Sequence, residues 1–219
     1  MTQERSDAVD PDGERVEGWP TRLSGVTETV VATEGPNGRW NHAALGISPP
    51  DDVSAPLESG AGSSVVARTF GRTRTRRNFA AGREAYVQFT TDPLDFVEAA
   101  LGVYETDAPI LCSSDAWTLV EVTERDRTAE WNTEIVEWSL RPIETGIRNR
   151  SVPTVHRGRA AVFEATVPAS RLGIEGYDDG ELLTRLESLG AVVDAAGDER
   201  AAIAFERIDE LVGWRERLE

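Results

Sequence analysis

Arg68, Arg72, Arg74, Arg76, Arg77 and Arg83 fall in one short run, RTFGRTRTRRNFAAGR, with no acid among them. Thr69, Thr73, Thr75 and Asn78 are interleaved with the arginines. Guanidinium forks grouped with hydroxyls at a bend suit phosphate, because each fork meets two oxygens at once and hydroxyls and free backbone N–H groups complete the shell. The run reads as a strand end, a turn and a short helix from about Arg76, with Thr75 as N-cap, Asn78 at the third helical position and Gly82 as the stop. The alternative use for these arginines is pairing with the chain's own carboxylates, as a solvated face or a subunit contact. A second acid-free run, Thr145 to Phe163, holds Arg148, Arg150, His156, Arg157 and Arg159. It faces either the same ligand or an acidic patch on a partner.

The rest of the composition makes the first run stand out. Thirty-nine acids oppose 23 bases over 219 residues, a net charge of −16, and every base is arginine. Such a surface repels nucleic acid and anionic membranes, so neither is expected as a partner. Its hydration suits the cytoplasm of a salt-loving microbe, where salt screens the self-repulsion. One cysteine, Cys112, and two histidines, His42 and His156, exclude a disulfide framework and a Cys/His metal cluster. Cys112 reads as a small buried apolar residue. No apolar stretch is long enough to cross a membrane, so a cytoplasmic protein is expected. Residues 1–24 are acidic and polar and read as a flexible tail.

The elements that must hold the arginine run are legible from periodicity. Strands are expected at Thr27–Thr33 and Arg39–Ile47, joined by a turn at Pro36-Asn37-Gly38, then at Ser64–Phe70 after a long loop over 48–63. Another strand covers Glu84–Thr91, and Asp92 and Pro93 open a helix that Gly102 ends. Two more strands start at Asp115 and Thr133, joined by ERDRTAE as a charged turn. Beyond residue 146 the period becomes helical, over Arg159–Leu172, Glu181–Ala196 and Glu199–Leu218. Six strands followed by three helices imply an α+β plan, an antiparallel β domain over 25–145 and a helical region over 146–219.

The second strand carries Asn41, Ala43, Ala44 and Gly46, the turn carries Phe70, Thr73, Arg74, Thr75, Asn78 and Phe79, and Thr91-Asp92-Pro93 with Phe96 follows. In that order these motifs resemble the archaeal FMN-binding split-barrel family of unknown function, domain-of-unknown-function family 447, a relative of the pyridoxamine phosphate oxidases. The resemblance spans about Glu28 to Ile143, and RAAVFEATVPASRL resembles the family's C-terminal region. It implies a six-stranded antiparallel split barrel with a three-helix appendage, dimerising to hold FMN between subunits. It implies that Arg68, Thr73, Arg74, Thr75 and Asn78, with Thr69 beside them, hold the phosphate. Asn41, Ala43, Ala44 and Gly46 would lie along the flavin ring, with Thr91 and Asp92 bordering the groove. Arg39, Asn41 or His42 could stabilise reduced flavin, although His42, on the opposite strand face from Asn41, reads as structural. The expected function is an FMN-dependent oxidoreductase acting on a small molecule, with no catalytic residue assigned. The alternatives are a module that stores or senses a flavin or another phospholigand, and an arginine-rich docking module for an acidic partner.

Overall fold

The computed structural model describes residues 8–50, 56–130 and 133–218. Residues 1–7 of the expected tail and 51–55 of the expected long loop lie outside them. The chain divides into two units, Met1–Thr90 with Tyr104–Ser151, and Thr91–Val103 with Val152–Glu219.

The first unit is an antiparallel barrel. Its strands are β3 (Thr27–Glu34), β4 (Trp40–Ser48), β5 (Val65–Phe70), β6 (Glu84–Thr90), β9 (Ser114–Glu130) and β10 (Thr133–Ile147), with β1 (Ala8–Val9), β2 (Glu14–Val16), β7 (Tyr104–Thr106) and β8 (Ile110–Leu111) as short additions. The order β10-β5-β4-β3-β6-β9 closes on itself because β9 also pairs with β10. The barrel is split at β4. Its far end meets β5 only through Ile47 and Ser48, while Trp40, Asn41 and His42 pair with β7. At the β3–β4 hairpin Gly38 takes a positive φ of 72°, which supplies the turn expected at Pro36-Asn37-Gly38.

Alternation explains the core. Val31, Val87, Val120, Val122, Val136, Trp138 and Leu140 point into the barrel with Ala67 and Phe79, and all are buried. Phe79 comes from α1 (Arg74–Ala81), whose ring meets that of Trp138 edge-on at 5.2 Å. The opposite strand faces are not all wet. His42 and Gln88 are buried there in a polar network with the segment from β7 to the start of β9.

Three expectations change here. Residues 8–24 are not a loose tail: β1 pairs with β8, β2 pairs with β10, and Trp19 and Leu23 are fully buried. The charged stretch ERDRTAE is strand, since β9 runs to Glu130 in register with β10. Cys112 is exposed, not a core residue.

The second unit is helical, and its expected three helices become four. α2 (Pro93–Leu101) joins α3 (Arg157–Ala169), α4 (Asp179–Ala196) and α5 (Glu199–Val212), and a 3₁₀ turn spans Arg215–Leu218. Leu94 and Val97 of α2 are buried with Ala165, Leu186, Phe205 and Ile208. Two ion pairs bind α2 to α5, Asp92 with Arg200 at 2.8 Å and Glu98 with Arg207 at 2.7 Å. Among the described residues no helix is long and apolar enough to cross a membrane.

Candidate functional site

The arginine run begins on β5 and ends after α1. Gly71, with a φ of +67°, turns the chain out of β5, and Thr73 caps α1 by accepting the Arg76 N–H at 3.2 Å. The cap is therefore Thr73 and not Thr75, and Asn78 sits at the fifth helical position instead of the third. Thr75, Asn78 and Phe79 share the buried face of the helix, the i, i+3, i+4 spacing that aligns side chains on one side. Gly82 ends the helix as expected, its N–H donating to the Asn78 carbonyl.

Beneath α1, the Asn78 amide donates to Thr33 Oγ1 at 3.0 Å, and that hydroxyl points its proton at the Asn41 carbonyl at 3.5 Å. Thr33 and Asn41 are cross-strand partners on β3 and β4. The fold thus gathers Asn41, Thr75 and Asn78 at one end of the barrel. All three are at least 94% buried, yet the side chains of Asn41 and Thr75 have no hydrogen-bond partner among the described residues. Neither side chain has a polar atom that is both sealed from solvent and unpartnered, so the polar ends of Asn41 and Thr75 reach the surface of this corner, where a ligand can meet them.

The other expected residues are placed differently. Ala43 lies on the Asn41 face of β4, opposite Val31, whereas Ala44 and Gly46 lie on the His42 face, opposite Val30 and Glu28. One flat ligand on one face of β4 cannot line up against all four. At Gly46 a Cβ would come within 2.7 Å of the Val26 side chain. Glu28, the cross-strand partner of Gly46, has its carboxyl pushed up by burial. Thr69 points into the barrel, accepting from Trp138 Nε1 at 2.9 Å. Thr91 and Asp92 belong to the helical unit, where Asp92 caps α2 and pairs with Arg200.

The arginines divide into two sets. Arg68 pairs with Glu137 at 2.9 Å, Arg74 with Glu105 at 2.9 Å, and Arg76 with Glu134 at 2.7 Å while also donating to the Gly71 carbonyl. Arg76, then Arg127, hold the Glu134 carboxyl below the usual carboxylate range. Glu105 also accepts from Asn37, and Arg39 donates to its backbone carbonyl, so β7 and the hairpin turn brace Arg74. The side chains of Arg72, Arg77 and Arg83 are exposed and have no partner among the described residues. The second acid-free run is mostly spent internally: Arg148 pairs with Asp12, Arg150 with Glu14, and Arg159 with Asp198. His156 serves there as the N-cap of α3. Glu105, Glu134 and Glu137 were not legible as arginine partners, because each lies about thirty or more residues away in a chain full of acids.

The N-terminal domain model of the protein family of unknown function DUF447 matches residues 27–149, and a second model of that family matches 156–210. The chain belongs to the DUF447 family. An FMN-bound DUF447 protein from Methanosarcina mazei superposes with a TM-score of 0.67 at 20% identity, covering 86% of this chain and 95% of that one. At that identity the likeness shows a common fold. Weaker likenesses include flavoredoxin from Methanosarcina acetivorans, with a TM-score of 0.40 at 11% identity over 66% of this chain and 79% of that one. The flavin reductase of styrene monooxygenase from Pseudomonas putida S12 gives 0.37 at 12% over 61% and 94%. Among curated proteins none matches this DUF447 sequence.

Proposed function

We propose that this protein binds FMN at the α1 end of its barrel and is an FMN-dependent oxidoreductase acting on a small cytoplasmic substrate, as a homodimer with flavin at the subunit interface. One observation carries the reading: Asn41 and Thr75 are more than nine-tenths buried and lack a hydrogen-bond partner among the described residues. Their polar ends are not sealed from solvent, so they are open to a ligand while the rest of each side chain is held fixed by packing. The Asn41 amide offers two donors and an acceptor, matching the mixed donor and acceptor edge of a flavin pyrimidine ring. The Thr75 hydroxyl lies in the first turn of α1, where N–H groups suit a phosphate. The FMN held by the Methanosarcina mazei relative supports the same cofactor here. Bound FMN would supply electron transfer, leaving position and electrostatics to the protein.

Two substitutions test the site by separating binding from folding. Thr75→Val and Asn41→Leu each remove a polar group that has no partner among the described residues. The flavin-free protein should keep its stability to within about 1 kcal/mol, while FMN affinity falls roughly tenfold. Protein that stays colourless after incubation with FMN and gel filtration would sink the flavin reading. Reduction of bound FMN by NAD(P)H in a single turnover separates an enzyme from a flavin store. A monomer mass by light scattering, with FMN bound, would remove the dimer from the reading.

A further inference from the structure

α1 is a poor helix by itself. It is eight residues long, and Arg74, Arg76 and Arg77 fall in its first turn with no acid beside them. Helices this short are marginal alone, and cations at the N-terminal end oppose the helix dipole. Glu134 of β10 supplies what the helix lacks. Its backbone carbonyl accepts the Gly71 N–H at 2.8 Å, and its carboxylate holds Arg76 at 2.7 Å. Arg76 then donates back to the Gly71 carbonyl at 2.9 Å, while its own backbone N–H bonds to Thr73 Oγ1. One residue of another strand therefore grips both ends of the 71–76 turn. The Arg76 side chain is 15% exposed, against 51% for Arg68 and 46% for Arg74, so its ion pair is the least screened of the three.

The strands carry that grip beyond the barrel. Val136 is fully buried in the barrel core, and Glu134, two residues earlier, lies on the same face of β10. The inner face of the strand thus turns from apolar to charged where Arg76 arrives. Past Val122, β9 pairs only with β10 among the described residues, and Arg127 ties this two-stranded ribbon together. It bonds the second Glu134 oxygen at 2.5 Å and the two oxygens of Glu124 at 2.9 and 2.8 Å. We propose that Glu134, oriented by Arg127, is a positioning residue for flavin binding: it fixes the first turn of α1 and with it the Thr75 hydroxyl. The inference rests on the flavin reading above and gives Glu134 no contact with the ligand. The charged end of the β9–β10 ribbon is then part of the binding device although it touches no flavin.

The test measures FMN dissociation constants by flavin fluorescence quenching, at one fixed salt concentration because ion pairs are screened. The proteins are wild type, E134Q, R127Q, T75V, E134Q/T75V and E121Q, the last a control that breaks the Glu121–Arg141 pair on the same two strands. E134Q should weaken FMN binding about tenfold, R127Q by a smaller factor in the same direction, and E121Q not at all. Because Glu134 acts through Thr75, E134Q/T75V should bind no more weakly than T75V, whereas a general structural defect would multiply the two losses. In flavin-free protein, amide exchange at Gly71 and Arg76 should quicken about tenfold in E134Q, with the amides of β3 unchanged. The positioning role is refuted if E134Q or R127Q binds FMN as wild type does, if the E134Q and T75V losses multiply, if E121Q weakens binding as much, or if exchange at Gly71 and Arg76 stays as it was. Wild type that binds no FMN would instead overturn the flavin reading itself, a result distinct from all of these, and the exchange measurement would still decide whether Glu134 holds the turn.

Discussion

Trp19→Ala should lower the unfolding free energy by about 3–5 kcal/mol, the largest effect expected of any single substitution outside the candidate site. Trp19 is fully buried against the barrel core with Leu23 and Leu57. Its indole Nε1 donates to the Ser63 carbonyl at 2.8 Å, and its backbone N–H and carbonyl bond to Ala61 and Gly60. The bend that delivers it needs Gly18, whose φ is +58° and whose Cβ, if present, would lie 2.3 Å from the Ala61 carbonyl oxygen. Truncation removes a large apolar surface and leaves a cavity that a barrel of paired strands closes poorly. Trp19→Phe separates the two contributions: it keeps a ring in the core and forfeits the indole bond, for a smaller loss of about 1–2 kcal/mol. Denaturant titration at fixed salt should show the midpoint falling with an unchanged slope. If Trp19→Ala costs under about 1 kcal/mol, residues 8–24 are not part of the folded barrel unit.

That tryptophan also shows where sequence reading stops. The hairpin of β3 and β4 and the helix from Pro93 to Leu101 were legible because their signals are local: a turn tripeptide, an Asp cap, an N-terminal proline and a terminal glycine. Residues 8–24 carry few apolar groups, and their burial depends on strands and loops far along the chain. The stretch ERDRTAE is charged on both faces, so alternation is lost. It is strand because β10 pairs with it and Arg127 meets Glu124 and Glu134 across the surface. α2 follows β6 directly in the chain, yet its acids find Arg200 and Arg207 more than one hundred residues later. At the candidate site, residue types pointed to an anion, and Asn41, Thr75 and Asn78 do converge. Which arginines are free depended on which glutamates the fold brought near, and no spacing encodes that.

Acidification should destabilise the wild-type protein by about 3 kcal/mol more than it does His42→Gln, over the window from about pH 6.5 down to about 4. His42 is 2% exposed, and burial lowers its pKa to about 4. Its bonds leave no room for a second proton. The Thr106 hydroxyl donates to the Ala108 carbonyl at 2.6 Å, so it must accept from His42 Nε2–H at 2.7 Å. His42 Nδ1 then accepts from the Gln88 amide at 3.2 Å, while Gln88 Oε1 accepts from Leu111 N–H and Ser114 Oγ. The unfolded chain takes up a proton at position 42 near pH 6.5, and the native state does so only near 4. Between those values the unfolded state binds more protons, so stability falls as pH falls. Above pH 6.5 the contribution is fully present. Carboxylates titrate in part of the same window, but they are common to both proteins, so the difference between the two stability curves isolates position 42. The consequence reaches the candidate site, because Thr106 shares β7 with Glu105, which braces Arg74. Amide exchange along β7 should quicken in the wild type as pH drops toward 4, after correction for intrinsic rates, and less so in His42→Gln. Parallel stability curves for the two proteins would mean that His42 is not buried in its neutral form.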